Sequence, residues 1–282
     1  MQNKSKSDFI ILSCKDYPQG NAALQELCAS LKKRGHKAEF ALWRELNLAN
    51  LSANATLLPL AVWDYSLHYD EFMRFLNEIE RLNLSVFNPL PLLRWNLSKF
   101  YLKELENLGF DIVPSIFIRP NEPYKEHLNK WQNPIIKPLV GQSGNGVRRL
   151  NQKLISQDER EKGFIIQQFI PEICKNGELC LVFFNAKFQY AIRRIVAKND
   201  FRANSQFGAS IQKCEFVEKQ CLDIAQRVLA HLPQKPLYAR VDFITHQGKA
   251  LLNELELIEP SLYFDYEQNA IANFCELLER KM

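Results

Sequence analysis

The sequence has no apolar stretch long enough to span a bilayer, and its polar N-terminus, MQNKSKSD, does not have the pattern of a signal peptide. It also has no excess of one charge, because 36 basic and 32 acidic residues give a net charge of +4 without any basic run. These absences argue against a membrane protein and against a nucleic-acid-binding protein. At 282 residues the chain is long enough for one large domain or for two to three small lobes.

The sequence contains no C-x-x-C motif, and its seven cysteines are odd in number and scattered along the chain. This usage predicts reduced thiols in the core of a cytoplasmic protein, without a disulfide framework. Composition alone leaves secretion by an unconventional route open.

Both common phosphate-binding patterns, G-x-x-x-x-G-K-[ST] and G-x-G-x-x-G, are missing. Residues 141–146 instead read GQSGNG and connect two predicted strands, 134–138 and 147–150. Glycines let backbone N–H groups approach an anion, so the loop predicts a flap over phosphates, with a plain hairpin turn as the alternative. Lys137 lies near the end of the first strand. Lys99 precedes a helix expected to run through Leu105, where it is either a phosphate contact or a solvated surface lysine.

Residues 237–260 predict two strands joined by a tight turn at Gly248. Side chains alternate between the faces of a strand, which puts Asp242, Glu254 and Glu256 together on one face. Like charges across a strand pair repel, so such a face is stable when it is solvated, protonated or bound to a cation. Hard oxygen ligands at this density suit Mg²⁺. An exposed charged face on an antiparallel sheet is the alternative.

Three arginines lie on or near the predicted hairpins, where each can hold a carboxylate or a phosphate through two hydrogen bonds. They are Arg194, Arg202 and Arg240. For any one of them, a surface arginine is the alternative interpretation.

Strands and helices alternate before residue 93, which predicts an α/β layer with parallel strands. Antiparallel hairpins with helices follow, so the rest of the chain is expected to be α+β. We therefore divide the chain into an α/β domain (1–93), a small lobe with the glycine-rich loop (94–168) and a large lobe with the metal site (169–282). Residues 63–65, Trp-Asp-Tyr, follow a predicted strand and form either a substrate-facing loop or an aromatic anchor.

Together these motifs resemble the ATP-grasp ligases: a lysine on a strand, a glycine-rich hairpin, the linker QQFI at 167–170, and Arg-x-Asp followed by Glu-x-Glu. Residues 191–204 are similar to the corresponding run in RimK-type glutamate ligases and prokaryotic glutathione synthetase. Residues 63–65, 94–96, 99–102 and 254–262 most resemble the subgroup of the ATP-grasp ligase of D-cycloserine biosynthesis. The resemblance spans nearly the whole chain and implies an α/β N-terminal lobe with a parallel sheet, followed by the two α+β lobes of an ATP-grasp fold.

The resemblance also implies a role for each motif. The nucleotide contacts would be Lys99 and Lys137 on the α- and β-phosphates, Gly141, Ser143, Gly144 and Gly146 over the γ-phosphate, and Gln168, Phe169 and Ile170 at the adenine. Asp242, Glu254 and Glu256 would hold Mg²⁺, with Mn²⁺ as the alternative metal, and Arg194, Arg202 or Arg240 would stabilise an oxyanion. Many ATP-grasp enzymes have Asn at the position of Glu256, and relatives often carry a basic residue among the positions 60–62, which here are Leu, Ala and Val.

The implied function is an ADP-forming carboxylate–amine or carboxylate–thiol ligase that works through an acyl phosphate on a small amino-acid-like substrate. Its expected partners are ATP and a small carboxylate, with neither nucleic acid nor a membrane, and no oligomeric state is predicted. A kinase that phosphorylates a small-molecule acceptor is the alternative, and a binding protein with a degenerate site is the third hypothesis.

Overall fold

The computed structural model describes residues 8–150 and 155–281. Four parallel strands form the first sheet: β1 (Asp8–Ser13), β2 (Lys37–Leu42), β3 (Ala55–Ala61) and β4 (Ser85–Val86), in the spatial order β2-β1-β3-β4. The helices α1 (Ala22–Lys33) and α2 (Tyr69–Arg81) connect them. Side chains on both faces of β1 are buried, as expected for a parallel sheet that helices cover on both sides.

The segment after this sheet differs from its prediction. It contains two short helices, α3 (Leu90–Asn96) and α4 (Tyr101–Asn107), instead of one helix beginning near Lys99. Pro91 lies in the first turn of α3, where a missing N–H costs nothing. Asn96, at the end of α3, is buried and bonds the backbone of Leu255 and Leu257.

The second sheet is antiparallel and carries the glycine-rich loop. Its strands, in the spatial order β5-β8-β6-β7, are β5 (Ser115–Ile118), β6 (Ile135–Pro138), β7 (Arg148–Arg149) and β8 (Phe164–Gln167). The helix α5 (Gln157–Lys162) precedes β8, and α6 (Ile173–Asn176) follows it. Residues 141–146 connect β6 to β7, as the sequence predicts.

The third sheet has five antiparallel strands in the spatial order β11-β10-β9-β12-β13. They are β9 (Glu178–Phe184), β10 (Lys187–Ile195), β11 (Ser210–Cys214), β12 (Tyr238–His246) and β13 (Lys249–Glu256). The helix α7 (Lys219–His231) packs against one face. The turn between β12 and β13 has both central residues, Gln247 and Gly248, at positive φ, as a two-residue hairpin loop requires.

One hydrophobic core joins the first sheet to the third. The C-terminal helix α8 (Ala270–Arg280) places Phe274 between Phe184 and Tyr238 of the third sheet and also packs against α1. The buried Asn88 bonds the backbone of Leu237, Tyr238 and Leu257 and attaches the end of the first sheet to the β12–β13 hairpin. The segment after β4 is therefore held against the start of β12 and the residue that follows β13.

The proposed domain boundary at residue 93 lies inside α3, and the division into three domains stays a prediction. All seven cysteines are free thiols, five of them buried, and Cys174 is exposed rather than in the core. No helix in the described ranges, 8–150 and 155–281, is long and apolar enough to cross a membrane.

Candidate active site

The three carboxylates of the β12–β13 hairpin lie together, as the side-chain alternation predicts. Asp242 is paired with Glu254, and Arg240 with Glu256, in the antiparallel register. One oxygen from each of Asp242, Glu254 and Glu256 lies within 4.8 Å of the others. Asp242 is fully buried, and the side chains of Glu254 and Glu256 are only 22% and 21% exposed. The interpretation as a solvated surface face is therefore wrong.

Each carboxylate has a cationic partner. Lys99 donates to Oε1 of Glu254, Arg240 donates to Oε1 of Glu256, and both Arg194 and Arg240 donate to Asp242. Burial raises the pKa of Glu254 and Asp242, but their cationic partners outweigh it and hold both below the usual range. Glu256 behaves differently, since burial and the neighbouring carboxylates raise its pKa to about 7 despite Arg240.

The chemistry of this donor set fits a divalent cation. Within the described part of the chain, Oε2 of Glu254 and Oε2 of Glu256 accept no hydrogen bond, so each has free lone pairs. Three clustered carboxylates, partly neutralised and partly unpartnered, match the preference of Mg²⁺ for a few hard oxygen ligands. The surrounding lysine and arginines neutralise part of the negative charge of the carboxylates, which the ion would otherwise have to neutralise alone.

Two residues that the sequence did not single out connect the carboxylates to Lys137. Glu178 is buried and accepts from Arg194, which lies opposite it in the β9–β10 register. Asn253 occupies a bulge in β13, donates to Glu178 and accepts from Nζ of Lys137 at 3.0 Å. The register of the predicted β9–β10 hairpin could have identified Glu178 as the residue opposite Arg194. Asn253 could not be identified in this way, because a one-residue bulge has no sequence signal.

A cleft of about 870 Å³ of open space lies between the second and third sheets and contains most of the predicted nucleotide contacts. Its lining includes Lys99, Lys137, Gly141, Ser143, Gly144, Gln168, Phe169 and Ile170. The lining combines cationic, glycine-rich and apolar groups around one space, as a nucleotide requires. Gly146 belongs to the same loop but does not line the cleft, since it packs against Pro138 instead.

The glycine-rich loop closes against residues 204–207. Gly144 has a φ of +72°, and a Cβ there would lie 2.5 Å from Oδ1 of Asn204. Gln206 donates to the backbone oxygen of Ser143 and, at 3.0 Å, to Oδ1 of Asn145. Only glycine allows this approach with the positive φ.

Lys137 is the cation with the most perturbed acidity in the cleft. Burial lowers its pKa to about 8, because nearby carboxylates compensate only part of the desolvation. Burial also acts on Lys99, but the contact with Glu254 outweighs it and raises that pKa. Lys99 is thus already neutralised, whereas Lys137 gains most from an incoming anion.

The three arginines do not lie together. Arg194 and Arg240 meet at Asp242, and both are almost completely buried. Arg202 lines the cleft instead, where it pairs with Asp200 and stacks on Phe207. The expectation of a surface arginine is wrong for the first two.

A second, smaller cavity lies on the other side of Lys99 and Glu254, which line both spaces together with Gly141 and Gln142. It has about 260 Å³ of open space, and its remaining lining residues are Tyr65, Asn96, Tyr101, Leu255, Glu256 and Glu259. In the adjacent loop, Trp63 donates to the backbone oxygen of Glu259 and Asp64 accepts from Trp43. Trp63 and Asp64 therefore anchor the loop, while Tyr65 faces the cavity.

Comparison with known proteins agrees with this geometry. The profile of the ATP-grasp domain of prokaryotic glutathione synthetase matches residues 102–261, more than half of the chain. The chain belongs to the ATP-grasp family. Residues 9–88 of this ATP-grasp protein match a second profile, the N-terminal domain of D-cycloserine synthetase DcsG.

Two curated proteins are similar in sequence to this ATP-grasp chain. The cycloserine biosynthesis protein DcsG of Streptomyces lavendulae is 22% identical, over 92% of both chains. The glutathione synthetase of Bradyrhizobium diazoefficiens is 26% identical over 55% of this chain and 51% of its own length. The protein is accordingly an ATP-dependent ligase of the ATP-grasp type.

Solved structures share the fold over nearly the whole chain. The crystal structure of DcsG has a TM-score of 0.81 at 18% identity and covers 98% of this chain and 99% of its own. D-alanine–D-alanine ligase from Bacillus anthracis, complexed with ATP, has a TM-score of 0.70 at 17% identity, covering 97% and 95%. The ligase PsnB, with a precursor variant, Mg and ADP, has a TM-score of 0.64 at 16% identity, covering 98% and 99%. The expected ATP-grasp fold, with a parallel N-terminal sheet and antiparallel sheets after it, is confirmed.

Proposed function

We propose that this ATP-grasp protein is an ADP-forming ligase that activates a small, amino-acid-like carboxylate as an acyl phosphate and transfers the acyl group to an amine or a thiol. The observation that carries the proposal is the shared wall between the two spaces. Lys99 and Glu254 line both the cleft between the second and third sheets and the smaller cavity. A carboxylate in the cavity would then meet the terminal phosphate of a nucleotide in the cleft at this wall.

The nucleotide-facing residues would bind and orient ATP. Lys99 and Lys137 would neutralise the phosphates, and Lys137 would do so most effectively, because its charge is otherwise poorly compensated. The glycine-rich loop would direct backbone N–H groups at the terminal phosphate. Gln168, Phe169 and Ile170, with the apolar groups around them, would hold the adenine.

The carboxylate cluster would hold Mg²⁺, or Mn²⁺ in its place, through Asp242, Glu254 and Glu256. When bound, the ion would stabilise the negative charge of the phosphates during transfer. The cationic residues around it act before any ion binds. Arg194 and Arg240 lower the pKa of Asp242, and Lys99 lowers the pKa of Glu254, so both carboxylates stay ionised. The site is therefore arranged for positioning and electrostatic stabilisation.

In the proposed reaction an oxygen of the substrate carboxylate attacks the γ-phosphorus, the bond to the bridging oxygen breaks, and ADP leaves. The nucleophile then attacks the acyl carbon, loses its proton and expels inorganic phosphate. Arg240 or Arg194 would stabilise the oxyanion of the tetrahedral intermediate, since both guanidinium groups lie beside the carboxylate cluster. Arg202, which lies along the cleft, would contact the nucleotide phosphates instead of the acyl group.

The test uses hydroxylamine, which traps acyl phosphates as hydroxamates. The protein is incubated with ATP, Mg²⁺ and a panel of amino acids, and both ADP and hydroxamate are measured. The proposal predicts equal amounts of both products with at least one carboxylate, and their loss in Lys137→Met but not in the control Glu126→Gln, whose side chain is exposed and does not line the cleft. A stable phosphorylated product without hydroxamate would indicate the kinase instead.

A further inference from the structure

The smaller cavity contains acceptors that lack a partner. Glu259 is 7% exposed, and no other residue in the described ranges donates a hydrogen bond to its carboxyl group. Gln142 is 8% exposed and donates through Nε2 to the backbone oxygen of Trp63, which leaves its Oε1 buried and unpaired. Both side chains line the cavity. An unpaired buried acceptor is costly, so Oε1 of Gln142, with the carboxyl group of Glu259 in the same cavity, indicates a missing donor.

The missing donor carries a positive charge. Glu254, Glu256 and Glu259 all line the cavity, and its single lysine, Lys99, is already paired with Glu254. Three carboxyl groups around one space make its potential negative, which favours a cation there. Burial and, without such a cation, the neighbouring carboxyl groups raise the pKa of Glu259 well above its ordinary range. Trp63 donates to the backbone oxygen of Glu259, which fixes the backbone from which this side chain enters the cavity.

The donor is also small and distinct from the metal. The cavity has only about 260 Å³ of open space, so the group beside Glu259 and Gln142 is compact. Glu259 is not a member of the three-carboxylate cluster that is suited to a divalent ion. An ammonium group matches the space, the charge and the need for several acceptors, because it has three N–H donors.

We propose that Glu259 and Gln142 form a subsite for the ammonium group of the substrate, so that the ligase selects amino acids over carboxylates without an amino group. The assignment rests on the proposed function, in which the substrate carboxyl group lies at Lys99. In an α- or β-amino acid the two groups are separated by one or two carbons. An ammonium group at Glu259 therefore keeps the carboxyl group next to the wall between cavity and cleft.

The experiment measures binding by calorimetry to the protein saturated with a non-hydrolysable ATP analogue and Mg²⁺. The probes are D- and L-serine, D- and L-alanine and β-alanine, each compared with its analogue lacking the amino group, 3-hydroxypropionate or propionate. At least one amino acid should bind about 10-fold or more tightly than its analogue. Glu259→Gln should weaken that amino acid about 10- to 100-fold and change the analogue less than about 3-fold, while the exposed control Glu126→Gln changes neither.

Two results would overturn the inference: no amino acid of the panel binds better than its analogue, or Glu259→Gln weakens both members of a pair equally, as a structural residue would. The comparison of amino acid with analogue needs only the wild-type protein, so it holds even if the variant does not fold.

Hydroxamate formation separates the two proposals. Preferred binding of an amino acid without hydroxamate from any carboxylate would refute the acyl phosphate only, and equal use of both members of a pair would refute the ammonium subsite only.

Discussion

Replacing Glu254 with Gln tests whether the carboxylate cluster depends on its lysine. The substitution keeps the shape of the side chain but removes the charge that Lys99 faces. The pKa of Glu254 is held below its usual range because Lys99 outweighs the cost of burial, so the pair stabilises the folded state on balance. That contribution is present above the pKa of the unfolded chain and is lost as the pH falls through the lowered folded pKa, so pH 7 is suitable for the measurement.

The size of the effect follows from burial. Breaking a buried ion pair costs about 3–5 kcal/mol, and the 15% and 22% exposure of the two side chains reduces this to about 2 kcal/mol. With an entropy of unfolding of about 2.1 cal/mol/K per residue, a loss of about 2 kcal/mol lowers the Tm of a 282-residue chain by roughly 3–4 °C. Turnover should fall at least about 100-fold if Lys99 contacts phosphate and Glu254 holds the metal, as proposed, because the substitution affects both.

A matched pair in the same molecule provides the control. Lys103 and Glu106 lie 2.7 Å apart at i and i+3 of a helix, with side chains 42% and 37% exposed. Glu106→Gln should therefore cost only about 0.3–0.5 kcal/mol in urea unfolding. A double-mutant cycle with Lys99→Met should give a coupling energy above about 1 kcal/mol. The reasoning is refuted if Glu254→Gln is as mild as the control or if the coupling is absent.

Three further predictions concern the rest of the site. The KM for ATP should rise as the pH increases through about 8, where Lys137 loses its charge, and it should stay flat in Lys137→Arg, as steady-state kinetics would show; a parallel rise in both proteins would contradict this. Arg194→Met should lower the free energy of unfolding by about 3–5 kcal/mol in urea, because Glu178 loses its arginine partner and Asp242 loses one of two, and a cost below about 1 kcal/mol would refute the role. Gly144→Ala should raise the KM for ATP about 10-fold, since its Cβ would lie 2.5 Å from Oδ1 of Asn204. The same change at Gly208, where the nearest atom is 3.5 Å away, should have a smaller effect. Equal effects at the two positions would argue against the close approach.

The local patterns of the chain predicted much of this site. Alternation along β12 and β13 brought Asp242, Glu254 and Glu256 together, because antiparallel pairing fixes which side chains share a face. The GQSGNG loop between two strands was predicted for a similar reason, since glycine-rich turns between apolar runs are a strong local signal.

Features that depend on packing between distant elements were not predicted. Asn96 has the local pattern of a helix cap, yet it is buried and bonds Leu255 and Leu257, about 160 residues away. Glu259 and Tyr65 share a cavity only because the first and third sheets pack on one core. Asn253 connects Lys137 to Glu178 because it lies in a bulge of β13, and the neighbouring residues have no pattern that predicts this bulge.

The central claim is that buried carboxylates on β12 and β13 hold the metal of an ATP-dependent ligase. The most direct measurement is a crystal structure with a non-hydrolysable ATP analogue and Mn²⁺, whose anomalous signal identifies the ion. We expect the ion between Asp242, Glu254 and Glu256, with the phosphates near Lys99 and Lys137. An ion bound elsewhere, with these carboxylates still paired only to Lys99, Arg194 and Arg240, would contradict the account.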